Sequence, residues 1–291
     1  MRLPRALDPD RRRIAILYHS AAGGTRLVAE LLGEHLGMDH EVSAASIYQP
    51  DAVRAAEGAD LVVFCYPTYF LRPSRSMKEF IERLPAPRLA APDRPRPAYL
   101  VTTYELYTEN SLRACGLLLK ARGMFVAGSA SVRAPGSDLT CVLPDWLCPW
   151  LYRFGRGFPE KLQSIADEIR MLARHGGPER LPAPKWYTPF AQALQHGLLD
   201  GFIEWRDRIR ILPDRCTDCG VCVKSCDRGA WERDGGAIRH RPERCELCTR
   251  CIHRCPRNAI VLSDSLKDNK RLDARHYALL KAAAQEGRRA S

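Results

Sequence analysis

The chain lacks most of the features that announce a common activity. No apolar run approaches the roughly 20 residues that cross a bilayer as a helix. The glycine-rich turn at residues 19–25 holds no G-x4-G-K-[ST], which excludes a P-loop NTPase there. It holds no G-x-G-x-x-G either, so a dinucleotide fingerprint is not supported. A net charge of +11 comes without a helix-turn-helix, RNP or OB signature, which leaves nucleic acid binding without a motif. No residue stands out as an acid, base or nucleophile, and no catalytic residue is assigned. Arginines precede the apolar residues 14–18, but that stretch is only a strand long. No A-x-A cleavage site follows it, so a cytoplasmic address is expected.

Cysteine, by contrast, is abundant: there are 12 in 291 residues. Eight fall in two matched runs, Cys216-x2-Cys219-x2-Cys222-x3-Cys226 and Cys245-x2-Cys248-x2-Cys251-x3-Cys255-Pro256. This is a bacterial iron–sulfur spacing, in which the tight C-x2-C-x2-C turn brings three thiolates to a [4Fe–4S] cube. The fourth cysteine begins a helix that points away and ligates the other cube. The expected sets are Cys216, Cys219, Cys222 and Cys255 for one cluster, and Cys245, Cys248, Cys251 and Cys226 for the other. Zinc needs no third cysteine two residues beyond each pair. A disulfide framework is disfavoured because thiols two residues apart on one loop are better placed to chelate than to pair.

Hydrophobic content of 45% and charged content of 27% suit a substantial domain followed by a small one. Strand patterns at 13–18, 41–46, 60–65, 98–103 and 124–132 alternate with helical patterns at 25–36, 74–84 and 111–121. Such alternation predicts right-handed βαβ units and a parallel sheet covered on both faces. A Pro-, Trp-, Tyr- and Cys-rich insert occupies 134–157, and a helix is expected at about 158–174. The domain boundaries are 13–175, a connector at 176–210 with Trp186, Tyr187, Phe190, Phe202 and Trp205, the cysteine unit at 211–263, and a basic tail at 264–291. The aromatic content of the connector suits a docking segment. Residues 230–239 read as a hairpin over Gly235 and Gly236.

The first strand runs into Ser20-Ala21-Ala22-Gly23-Gly24-Thr25 and then a helix. Glycines let backbone approach a phosphate, and the helix start supplies free N–H groups. His19 adjoins this loop, either to meet a phosphate or to shape the turn. In a sheet of order 2-1-3-4-5 the ligand crevice lies at the carboxyl ends of strands 1 and 3. Pro67, Thr68, Tyr69 and Phe70 follow one of these strands, and Thr103, Tyr104 and Glu105 follow the next. Their aromatic rings offer faces for an isoalloxazine.

On these residues, positions 13 to about 175 resemble a flavodoxin domain, whose phosphate loop reads Ser/Thr-x-Thr-Gly-x-Thr. Ser20, Gly23 and Thr25 match it, Ala22 replaces a hydroxyl residue, and Gly24 stands where Asn is frequent. Tyr104-Glu105 stands where related proteins have Tyr-Gly. With the cysteine unit, the chain resembles the flavodoxin–ferredoxin fusion proteins of anaerobic microbes. The resemblance implies an α/β fold with a flavodoxin-like doubly wound five-stranded parallel sheet, plus a small α+β ferredoxin domain. It implies FMN at Ser20, Ala22, Gly23, Gly24, Thr25, Pro67, Thr68, Tyr69, Phe70, Thr103, Tyr104 and Glu105, and two [4Fe–4S] clusters.

The expected function is one-electron transfer between FMN, the clusters and redox partners. The alternatives are an FMN reductase of a small organic substrate, with the insert lining its pocket, and a redox-partner or membrane-docking subunit. The basic balance suits solvated surface and compensation for anionic cofactors, then steering of an acidic redox protein. Asp227 replaces the proline that follows the fourth cysteine in the second run, and its charge is expected to lower the potential of a nearby cluster. Cys65 and Cys115 read as inert core residues, and Cys141 and Cys148 as free thiols.

Overall fold

The computed structural model describes residues 11–69, 71–85, 95–108, 110–184 and 205–289. Five strands, β1 (Arg13–Tyr18), β2 (Glu41–Ser46), β3 (Leu61–Tyr69), β4 (Arg96–Tyr104) and β5 (Met124–Arg133), lie in the order β2-β1-β3-β4-β5. All neighbouring pairs among them are parallel. This is the doubly wound order in which the chain reverses direction across the sheet between β1 and β3.

Period-two alternation explains the layers. Ile14 and Ile16 of β1, with Tyr99 and Val101 of β4, join one core against α1 (Gly24–Leu36) and α5 (Phe158–His175). Ala15 and Leu17, with Ala98 and Leu100, join the other against α2 (Ala52–Gly58), α3 (Arg75–Arg83) and α4 (Ser111–Lys120). Both faces of the sheet are therefore apolar, as a parallel sheet under helices demands. One polar tie crosses a layer, where the Tyr99 hydroxyl donates to Glu168 Oε2 at 2.5 Å. Gly128 opposite is required, since a Cβ there would lie 2.6 Å from the Tyr99 ring.

Two elements differ from expectation. β3 runs through Tyr66, Pro67, Thr68 and Tyr69, which the sequence reading gave to a loop. Their register with β4 continues as Tyr66↔Thr102 and Pro67↔Thr103, and Arg72–Pro73 folds back antiparallel on Thr68 and Tyr69. The alanine-rich α2 carries too few large apolar residues to announce itself.

The C-terminal part is built on α6 (Val221–Ser225), α7 (Arg250–Arg254) and two ribbons. Strands β6 (Arg210–Ile211) and β9 (Ile260–Val261) pair antiparallel, as do β7 (Trp231–Asp234) and β8 (Ala237–His240). Gly235 and Gly236, with φ of 58° and 85°, make the tight turn between β7 and β8, as the sequence suggested. A separate core joins Ile209, Cys222, Trp231, Leu247, Ile252, Ile260 and Leu262 to Cys141 of the insert. The tail forms α8 (Ala274–Arg289), which lies along α1 with Lys281 Nζ 2.8 Å from Glu34 Oε1. Among the described residues, no helix is long and apolar enough to cross a membrane.

Candidate functional site

The two cysteine loops share one backbone plan. The first run has positive φ at Asp218 (50°) and Gly220 (70°), and the second at Leu247 (53°) and Thr249 (57°). These are the second and fourth residues after the leading cysteine in each. Three residues after the fourth cysteine, Gly229 (62°) and Asn258 (50°) repeat the match. Left-handed residues at these points curl the chain so that successive thiols face inward. A β-branched residue pays most for that conformation. Thr249 is held there by its hydroxyl, which donates to Ser137 O at 2.8 Å.

The eight cysteines sort into two cavities. One is lined by Cys216, Cys219, Cys222 and Cys255. The other is lined by Cys226, Cys245, Cys248 and Cys251. Each cavity therefore takes three thiols from one run and the fourth from the other. Among the described residues, no three His, Cys, Asp or Glu side chains gather on a point suited to a single ion. All twelve thiols are free of disulfides. Backbone amides face the sulfurs symmetrically: Ala230 N–H donates to Cys226 Sγ at 3.3 Å, and Ala259 N–H to Cys255 Sγ at 3.2 Å. Leu247 N–H donates to Cys245 Sγ at 3.3 Å. Such bonds stabilise anionic sulfur and tune a cluster's potential. Burial pushes the Cys245 thiol up to about 11 and raises those of Cys222, Cys248 and Cys251. Thiolates at these depths need a cation at the sulfurs. The residues therefore fit iron–sulfur cubes in their donor type, number and amide surroundings.

The residues around the inner cavity, that of Cys226, Cys245, Cys248 and Cys251, tie it to the N-terminal domain. Asp227 ion-pairs with Arg250, whose Nε and Nη2 donate to Ala21 O at 3.1 Å and Ser20 O at 2.5 Å. The Asp227 carboxylate is thus matched by a guanidinium. Glu246 is buried, which pushes its carboxyl up, but His19 and Ser76 pull it below the ordinary range to about 2. Its Oε1 lies 3.3 Å from His19 Nε2, and Ser76 Oγ donates to Oε2 at 2.9 Å. His19 Nδ1 is 2.8 Å from Ser74 Oγ, so His19 shapes the junction. Arg228 grips Glu79 of α3 with two bonds, at 2.5 and 3.2 Å.

The proposed flavin loops lie together at the carboxyl edge of the sheet, but the hydroxyls of Thr25, Thr68 and Thr103 already have partners. Tyr277 of α8 covers Gly23, where a Cβ would fall 2.7 Å from the ring. The Tyr277 oxygen lies against Gly24, 3.5 Å from where a Cβ would sit. Thr25 Oγ1 bonds Thr103 Oγ1 at 2.7 Å, and Thr68 Oγ1 bonds Thr102 Oγ1 at 2.8 Å. The Tyr69 ring meets His19 edge-on at 6.3 Å between centroids, and burial raises its phenol well above its ordinary value. Pro67 is inside the sheet, and Ala22 borders an open groove beside α8. Glu105 turns its carboxyl onto Gly136 and Asp138, and burial and then Asp138 push it up to about 10. Phe70 lies outside the described residues, as do Trp186, Tyr187, Phe190 and Phe202 of the connector. Ser20 Oγ alone fits a phosphate ligand, being buried with no partner. As arranged, the loops do not fit FMN.

Residues 208–256 match a family described as a 4Fe-4S dicluster domain. None of the curated proteins matches the chain. Solved structures similar to the sheet domain include a WrbA-like flavodoxin protein from Agrobacterium tumefaciens, at 20% identity over 57% of this chain and 99% of that one, with a TM-score of 0.44. Another is the two-electron reduced flavodoxin of Megasphaera elsdenii, at 18% identity over 40% and 84%, with a TM-score of 0.35. An NADH:FMN oxidoreductase in its apo form aligns at 18% identity over 58% and 97%, with a TM-score of 0.41. The fold itself rests on the parallel strand order.

The chain joins a flavodoxin-like domain to a 4Fe–4S ferredoxin domain. The 4Fe–4S domain supports an electron-transfer, redox role. The insert acts as a strut between the two domains. Asn269 donates to Thr140 O and Leu143 O, His276 Nε2 lies 2.6 Å from Tyr152 O, and His253 Nε2 lies 2.8 Å from Ser137 O. Cys141 is buried against His253 and Cys148 is half-buried, while Trp146 is 81% exposed. Cys65 and Cys115 are core residues. Sequence reasoning missed Glu246, Arg250 and Tyr277 as junction residues. A charge directly beside a ligand cysteine and a lone aromatic in the tail were the only signals.

Proposed function

We propose that the chain is an electron carrier that passes single electrons through two [4Fe–4S] clusters to and from redox protein partners. The sorting of the eight cysteines into two crossed sets of four is the observation that supports it. Cys216, Cys219, Cys222 and Cys255 would hold one cube, and Cys245, Cys248, Cys251 and Cys226 the other. Each bound cube exchanges one electron per cycle. The protein's part is to hold the sulfurs, donate amides to them and control access. Cys219 is exposed, so the first set supports an outlet at the surface. The second set is bordered by His19 of the flavodoxin-like domain. Beside Cys255, a groove carries Arg26, Arg254, Lys270, Arg271 and Arg275 against Glu30, Asp268 and Asp273. That excess of positive charge supports an acidic redox partner.

FMN as a third centre is the second reading, and the unpartnered Ser20 hydroxyl favours it. It requires Tyr277 to leave the phosphate loop.

The crossing is tested by alanine at the fourth ligands. The Cys255→Ala protein should show the same residual cluster spectrum as Cys219→Ala, and Cys226→Ala the same as Cys248→Ala. Matching in the opposite sense would overturn the assignment.

A further inference from the structure

We propose that the phosphate loop of this chain serves as the seat that locks its ferredoxin domain and tail in place, and does not take FMN in the folded protein. The inference rests on the cluster reading above and deepens it. Without a two-electron centre, the protein carries one-electron equivalents only.

A phosphate at a βα turn is held by the free amides of the helix start and by nearby hydroxyls. Here the loop is covered by other parts of the chain, and of its side chains the buried Ser20 hydroxyl keeps no partner. The phenol oxygen of Tyr277 sits over Gly24, and the Thr25 hydroxyl is taken by Thr103. Ala22 brings no hydroxyl. The bare face of Gly23, with φ of 127°, is the kind of surface a phosphate approaches, and it meets the Tyr277 ring instead. Nor is Arg250 a spare cation for an anion. Its guanidinium is spent on Ser20 O, Ala21 O, Ser225 O and Asp227.

The contacts come from two distant parts of the chain. Arg250 belongs to the second cysteine loop, and Tyr277 to α8. Both land on the six residues 20–25. The same loop edge receives Glu246 through His19, Ser74 and Ser76. The amides, carbonyls and glycine face that suit a nucleotide also suit a guanidinium and a phenol. The cradle thus becomes an intramolecular socket, and the inner cysteine cavity is pressed against it.

The test uses the full-length protein, purified anaerobically with its iron. FMN is titrated in and followed by flavin fluorescence, and hydrogen exchange is read on a peptide spanning residues 20–27. The wild-type chain should give no saturable quenching. In Tyr277→Ala, and in Tyr277→Leu should the first not fold, the peptide should exchange about fivefold faster or more once the ring no longer covers Gly23 and Gly24, with iron content unchanged. Saturable binding of one FMN per wild-type chain would overturn the inference, as would unaltered exchange in both variants. A chain without iron would remove the cluster reading and leave the FMN result interpretable by itself.

Discussion

Glu105 offers a prediction that can be worked from the structure. Its carboxyl is folded against Gly136 and Asp138, and its Oε1 is buried with no donor in reach. Burial first, then the neighbouring Asp138, push it from an ordinary 4.5 up to about 10. Between those values the folded chain holds a proton that the unfolded chain has released. Stability therefore falls as pH rises through that window, by up to about 1.4 kcal/mol per pH unit. From pH 6 to pH 8 the wild-type protein should lose up to about 3 kcal/mol from this group. Glu105→Gln keeps the shape and an N–H donor toward Asp138 but cannot titrate. Urea unfolding of the two proteins at several pH values, done anaerobically, gives the comparison. The stability of the variant relative to wild type should climb with pH across the window. A difference that stays flat from pH 6 to pH 8 would refute the buried, protonated carboxyl.

Two further outcomes follow from the cysteine loops and the charge. Gly220→Thr copies the second run's residue into the first, at φ of 70° and with only an ordinary 3.5 Å contact to Arg233; it should cost about 1–2 kcal/mol from the left-handed backbone alone, read as faster loss of cluster absorbance in denaturant. Oxidation of the reduced protein by an anionic small oxidant should slow as salt is added, while oxidation by a cationic one should not, because the groove beside Cys255 is basic; equal salt responses would remove the case for an acidic partner.

The sheet was legible because its core strands carry unbroken apolar runs and its helices carry helical periodicity. The cysteine sets were legible because ligand spacing is a local property. The junction was not. Arg250 reads as one more solvated cation among many, and its bonds to Ser20 and Ala21 span 230 and 229 residues. Tyr277 sits in a polar tail whose burial depends on α1. Glu105 faces the flavin site by position in the chain, but the insert that redirects its carboxyl has no periodicity to place it. The end of β3 reads as a loop in the sequence because Pro67 interrupts its apolar run, whereas pairing with β4 carries it through Pro67 and the fold-back at Arg72–Pro73 through Tyr69.

The central claim is two iron–sulfur clusters on crossed cysteine sets. Iron and acid-labile sulfide, measured on anaerobically purified full-length protein, test it most directly. About eight of each per chain are predicted. Zinc in place of iron, or iron without sulfide, would contradict it.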